Sequence, residues 1–217
     1  MSRSHDTRHA GRRRGLLAIA PLALLSLPML SGCSSGTGST LVRTDDGFRV
    51  EESGAVRMGT RSRFDAALES MTADDLDHAI SELEATVEAA PDHAAPRVNL
   101  ALALARAERL DEAEEVLRTT TEAHPKHPAA HNELGILYRR LGRFDDARDS
   151  YERAIALYGD FHVAHRNLGV LCDLFLQDTA CALDHYRRYL EIVVADDQVS
   201  MWVTDLERRS GEGGSGS

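Results

Sequence analysis

The sequence predicts an all-α protein, a solenoid of about three and a half to four helix-turn-helix repeats closed by a C-terminal helix. Three observations carry this expectation. One residue pattern returns every 34 residues through most of the chain. Aromatic residues are only 5% of the composition while Ala and Leu abound, which favours helices over a packed sheet. Apolar residues at 42% and charged residues at 28% are enough for a folded core. A net charge of −10 argues against a nucleic-acid surface, and three cysteines are too few for a disulfide scaffold.

The first element is an address rather than structure. Arg3, Arg8, Arg12, Arg13 and Arg14 precede the uncharged apolar run 16–30, which is broken by Pro21 and Pro28. As a helix that run would span about 22 Å, short of the roughly 30 Å hydrocarbon core. A basic segment followed by a short apolar one reads as a secretory signal covering residues 1–32. Leu30-Ser31-Gly32-Cys33 then resembles the bacterial lipobox. The resemblance implies cleavage before Cys33, which becomes a lipidated (palmitate-bearing) N-terminus; the alternative is an ordinary cleavage site that a cysteine follows. Ser34 rather than Asp after the Cys points to the outer membrane, facing the periplasm. Arg13-Arg14 also loosely resembles a twin-arginine signal. Removing the leader takes away five arginines and one aspartate, leaving a net charge of about −14. Such a body repels anionic lipid, so the acyl chains must hold it on the membrane.

Residues 33–59 are expected to be a tether and a pre-repeat arm. The stretch 34–40 is Gly/Ser/Thr-rich and reads as a flexible linker. Short alternating patterns at 47–51 and 55–58 suggest a small strand or an arm lying on the first helices.

The repeats follow at 60–93 (degenerate), 94–127, 128–161 and 162–195. Leu76-Asp77-His78-Ala79, Leu110-Asp111-Glu112-Ala113 and Phe144-Asp145-Asp146-Ala147 begin 34 residues apart. Leu100, Leu134 and Leu168 keep that step, as do Ala101, Gly135 and Gly169; Pro91, Pro125 and Gly159 close three units. The unit His131-x2-Leu134-Gly135-x2-Tyr138, then Ala147-x3-Tyr151, Ala154 and Gly159, resembles the tetratricopeptide repeat (TPR), with His131 for its Trp and Gly159 for its Pro. Small residues let paired helices approach, larger ones (Leu104, Leu117, Tyr138, Tyr151) fill the gap to the next unit, and stacking shares one core. In the last unit Ala182, Tyr186 and Tyr189 align only if one residue is inserted, which predicts a lengthened turn near 177–180.

Asp196-Asp197 can cap a final helix over 196–209, where Val199, Trp202, Val203 and Leu206 share one face. Trp202 is read as part of that cap's core rather than as a partner anchor. Residues 210–217 are Gly/Ser-rich and read as a disordered tail.

Candidates for chemistry are few. His124, His127 and His131, with His162 and His165, could suggest a metal. His131 and His165 lie 34 apart in one repeat slot, and the others fall in turns, so no metal or other cofactor is expected. No nucleophile–base signature or phosphate loop is present, so no catalytic residue is assigned and the chain is read as non-enzymatic. Cys172 and Cys181 flank the last turn, either as a disulfide or as two buried thiols.

TPR arrays present their first helices to a bound segment. The resemblance therefore implies a partner-binding concave face that includes Asn99, Arg106, Asn132, Arg139, Arg140, Arg166 and Asn167, since Asn can hold peptide backbone and Arg favours carboxylates. The cationic clamp of some cytosolic TPR domains is not reproduced, because Leu102, Ile136 and Val170 occupy its Asn slots. The expected function is a lipid-anchored protein–protein interaction adaptor or scaffold in the bacterial cell envelope. It is similar to pilotin-type or hydrolase-recruiting TPR lipoproteins, with an unidentified protein partner and no nucleic acid. The alternative is a metal-binding protein or enzyme using the His clusters.

Overall fold

The computed structural model describes residues 39–44, 47–52 and 57–213. Two strands, β1 (Ser39–Thr44) and β2 (Gly47–Glu52), pair antiparallel with Ser39 opposite Glu52 and Thr44 opposite Gly47. Ser39 and Thr40 therefore belong to a hairpin, not a linker. Thr40, Val42 and Thr44 are β-branched, and pairing selects that preference over the flexibility their neighbours suggest.

Four helical hairpins follow. They are α1 (Met58–Thr72) with α2 (Leu76–Ala89), α3 (Ala94–Arg106) with α4 (Leu110–Ala123), α5 (Pro128–Arg140) with α6 (Phe144–Leu157), and α7 (His162–Leu171) with α8 (Thr179–Ile192). A ninth helix, α9, spans Asp197–Gly213. The first hairpin is complete, and its helix begins at Met58, inside the segment expected to be an arm.

Each hairpin closes by a small first-helix residue facing a second-helix residue sized to match. A Cβ built on Gly135 would lie 2.6 Å from the Tyr151 ring, and one on Gly169 would lie 2.5 Å from the Tyr186 ring. The equivalent residues in the earlier units are Ala67 and Leu83, then Ala101 and Leu117, all buried in one cluster. A larger ring demands a smaller partner at constant helix separation.

The turns between paired helices share one design. Asp74, Glu108, Gly142 and Gln177 adopt positive φ (62°, 60°, 75° and 55°). The next amide reaches back across the turn: Asp75 to the Ser70 carbonyl, Arg109 to Leu104 and Arg143 to Tyr138, each at 2.9 Å. This is the wide bond of a left-handed helix stop. In the fourth unit Asp178 N–H reaches the Cys172 carbonyl at 2.9 Å, one residue farther along the chain. The inserted residue thus does not lengthen the loop at 177–180. It widens the end of the first helix into a π-helical turn over Cys172–Leu176, because a bulge keeps the backbone bonded where a longer loop would not.

Helix α9 packs on α8. Asp196 caps it, accepting from the Val199 amide at 3.0 Å, and Val199 and Leu206 are buried. Its contacts repeat those of a first helix. Trp202 stacks with Tyr186 (5.4 Å) and with the Arg166 guanidinium (5.4 Å), while Arg209 pairs with Asp173 at 3.4 Å. The array is therefore four hairpins and the first half of a fifth. The helix runs through Gly213, so residues 210–213 are not the tail that their composition suggested. Asp205 pairs with Arg208 and Arg209, and Ser210 Oγ donates to the Glu207 carbonyl, which carries the last turn past the packed segment.

Candidate functional site

The first helices form one continuous layer. α3 touches α5, and α5 touches α7, whereas among the described residues no comparable approach joins α4 to α6 or α6 to α8. Curvature that brings first helices together makes their outward side the concave one. Asn132, Ile136 and Arg139 lie on one face of α5 at i, i+4 and i+7, and Arg166 and Val170 on α7, with Asp173 in the π-helical turn that follows, occupy the same slots. Half-buried Leu102, Ile136 and Val170 make an apolar row across the three helices.

Two asparagines bind the seam. Asn167 Nδ2 donates to Asn132 Oδ1 at 3.0 Å, and Asn132 Nδ2 donates to Glu133 Oε1 at 3.1 Å. Asn132 is fully buried, its carbonyl oxygen bonded to the next repeat and its amide nitrogen to its neighbour on α5, while Asn167 is half-buried. Burial pushes the Glu133 carboxyl above its usual range, against the opposing pull of the Asn132 hydrogen bond. Asn99 donates to the Ala95 carbonyl of its own helix at 2.9 Å.

The four arginines divide into two pairs. Arg106 and Arg140 reach back to the preceding unit instead of into the groove. Arg106 donates to the Met71 carbonyl (2.7 Å) and Asp74 (2.6 Å), and Arg140 to the Ala105 carbonyl (2.8 Å) and Glu108 (3.0 Å). Each guanidinium adds a donor to a carbonyl at the end of the previous first helix whose bond from its own turn is long, at 3.4 Å. They act as inter-repeat clamps, with their guanidinium donors directed to the preceding unit instead of to the groove expected for them. Arg139 and Arg166 form no ion pair among the described residues, although Arg166 stands close enough to Asp196 to help hold its carboxyl below the ordinary range. Arg139 lies over the Phe175 ring (5.8 Å) beside Tyr151, and Arg166 lies over Trp202. Burial pushes the Tyr151 hydroxyl up to about 12, against the opposing pull of the Arg139 guanidinium beside it.

The histidines have structural work. His131 Nε2 meets the Pro125 carbonyl at 3.1 Å and His165 Nε2 meets the Gly159 carbonyl at 3.0 Å. Arg97, one unit earlier in the same slot, donates to the Pro91 carbonyl at 3.2 Å. Three side chains thus tie down one recurring inter-repeat turn. His127 caps α5 through Nδ1, accepting from the Ala130 amide at 3.1 Å. His162 faces Tyr189 with ring centroids 6.0 Å apart. His124 follows α4 as its C-terminal cap residue, its amide bonded to the Thr120 carbonyl at 2.8 Å. His165 Nδ1 also faces His185 Nδ1 at 3.0 Å, a pairing with no sequence signal, since 20 residues separate the two. Among the described residues no three His, Cys, Asp or Glu side chains are grouped to hold a metal.

Cys172 and Cys181 are joined by a disulfide, with Cα atoms 5.9 Å apart, across the π-helical turn. Cys33 lies outside the described residues. No helix among the described residues is long and apolar enough to cross a membrane. Sequence reasoning missed Leu174 and Phe175, which follow Cys172 and are both exposed. The available signal was Leu174 itself, standing 34 residues after Arg140 where the two preceding units hold arginine.

Residues 64–128, 99–160 and 132–196 match the tetratricopeptide repeat family, together covering more than half of the chain. No curated protein sequence matches. Solved structures of similar fold include pilF of Pseudomonas aeruginosa, with TM-score 0.64 and 19% identity over 70% of this chain and 69% of that one. Another is MamA, with TM-score 0.60 and 21% identity over 71% and 85%. A third is the thermophilic TPR protein TTC0263 of Thermus thermophilus, with TM-score 0.60 and 23% identity over 68% and 80%. These likenesses concern the fold, one that suggests a protein–protein interaction scaffold. With the repeats matched from residue 64 to residue 196, the chain belongs to the tetratricopeptide repeat family.

Proposed function

We propose that this protein is a lipid-anchored, non-enzymatic adaptor of a bacterial cell envelope, whose first-helix groove holds a segment of a protein partner. The observation that carries the reading is the pair Arg139 and Arg166. They stand on the groove face without an ion-pair partner among the described residues, beside the apolar row Leu102–Ile136–Val170 and the half-buried amide of Asn167. Such a face offers donors to a peptide and apolar area to its side chains. The anchor is Cys33 in the lipobox-like Leu30-Ser31-Gly32-Cys33, with the outer membrane and its periplasmic side as the address. The Cys172–Cys181 disulfide suits an oxidising compartment.

The test is capture from native envelopes by the full chain and by an Arg139→Ala, Arg166→Ala, Asn167→Ala variant. A partner retained by the first and lost by the second supports the groove. A partner kept by both moves binding elsewhere, and none with either leaves the adaptor reading without support. Anchoring is tested separately with labelled palmitate. Incorporation that vanishes in Cys33→Ser supports it, and unchanged or absent labelling rejects it.

A further inference from the structure

We propose that Leu174, Phe175 and Arg139 form a docking subsite at the lip of the groove for a protein segment carrying a carboxylate beside a bulky apolar side chain. This rests on the groove reading above and adds the chemistry of its occupant.

The subsite arises where the repeat changes its rule. Arg106 and Arg140 end their first helices by reaching back to the preceding turn, and Arg209 on α9 reaches back to Asp173. The same slot, in the π-helical turn that follows α7, holds Leu174. The turn it faces presents Gly142 where Asp74 and Glu108 stand in the earlier units, so a guanidinium there would find no carboxylate. Nothing about that loss requires a large apolar side chain, yet Leu174 stands 66% exposed and Phe175 beside it 39% exposed. A polar side chain would cost nothing at such a position, and two adjacent exposed apolar ones mark a contact surface.

The knuckle is held in place. Phe175 stacks on Phe144 with centroids 4.9 Å apart, and the disulfide ties the start of the π-helical turn to α8. A rigid apolar surface loses little freedom when it is covered. Above Phe175 lies the Arg139 guanidinium at 5.8 Å, with no carboxylate partner among the described residues and with its Nε buried and unbonded. The neighbouring acid, Asp173, is already paired with Arg209. Although the chain as a whole carries a net charge of −10, the Arg139 cation left without an ion pair against an apolar surface is locally complementary to an acidic, apolar segment. The carboxylate would take the guanidinium, the apolar side chain would cover Leu174 and Phe175, and exclusion of water would strengthen the ion pair.

The experiment selects random dodecapeptides displayed on phage against the full chain. Recovered sequences are synthesised, and their affinities are measured by fluorescence anisotropy for wild type, Leu174→Arg, Arg139→Gln and Asn167→Ala. The arginine variant repeats what the fold holds at 106 and 140, and matched thermal melts verify folding. Expected are peptides pairing Asp or Glu with Leu, Ile, Phe or Trp, weakened about tenfold or more by both Leu174→Arg and Arg139→Gln. Peptides weakened only by Asn167→Ala overturn the subsite and leave the groove reading standing. Failure to recover any peptide counts against both. A concentration-dependent dimer abolished by Leu174→Arg would make a second copy the occupant and overturn the proposal.

Discussion

Gly135 and Tyr151 form a size-matched pair: the glycine has no Cβ because the tyrosine ring occupies its place, 2.6 Å from where that atom would sit. Adding the methyl group gains at most about 1 kcal/mol of helix propensity but forces a fully buried ring to move, typically at about 1–3 kcal/mol. Gly135→Ala is therefore expected to destabilise the protein by about 1–2 kcal/mol in urea unfolding. Gly135→Ala with Tyr151→Leu reproduces the Ala/Leu pairing of the first two units and should recover much of what the single changes lose. Strict additivity of the two changes would refute the pairing.

How much of this was legible in the sequence follows from what each residue must satisfy. The Gly135 and Gly169 slots were readable because a helix interior tolerates glycine poorly unless something approaches closely. The π-helical turn was not, because an insertion between Tyr138-like and Asp178-like anchors fits a longer loop equally well until the Cys172 carbonyl is seen to keep its partner. Arg106 and Arg140 looked like groove residues. An arginine near the end of an exposed helix has the same sequence signature whether it points outward or folds back onto a carbonyl. The strand at Ser39–Thr44 and the last turn of α9 were hidden by Gly/Ser/Thr composition, which is permissive and dictates neither order nor disorder.

The clamps predict independent losses. Arg106→Ala and Arg140→Ala each remove a hydrogen bond to a carbonyl whose bond from its own turn is long, at 3.4 Å, together with a largely exposed ion pair. The bond is worth about 0.5–1.5 kcal/mol and the pair adds little. Their acceptors lie in different units (Met71 and Asp74 against Ala105 and Glu108), so the double variant should lose the sum. Urea unfolding measures this. No loss for either single variant would mean that water replaces the guanidinium without cost.

Reduction should act on the fourth unit. The disulfide closes a short loop, with a sequence separation of 9, so chain entropy assigns it about 2–3 kcal/mol. Cys172→Ala with Cys181→Ala, or dithiothreitol on the wild type, should lower stability by that amount. Amide exchange should accelerate chiefly in α7, α8 and α9. Equal acceleration in α1 and α2 would mean that the whole array unfolds as one unit.

Acid should loosen the same region through its histidines. The Gly159 carbonyl can only accept, so His165 Nε2 carries its proton and Nδ1 accepts from His185 Nδ1–H at 3.0 Å. Protonating His165 would set two N–H groups against each other, and protonating His185 would add charge near Arg148. Burial holds His165 and His185 below the ordinary value of 6.5, and His131 and His162 are lowered for the same cause. The unfolded chain then binds more protons than the folded one below about pH 6.5, so stability rises with pH across that window. It is complete above the unfolded value and declines as pH falls toward each folded one. Glu133, raised by burial, contributes with the opposite sign upward from its ordinary value of 4.5, so the imidazole contribution is read from the difference between wild type and a histidine variant, in which Glu133 cancels. His131→Arg copies Arg97, keeps a donor for the Pro125 carbonyl and removes one titrating ring, so its free energy of unfolding should fall less steeply on acidification. An identical slope in wild type and variant would show that His131 titrates alike in both states.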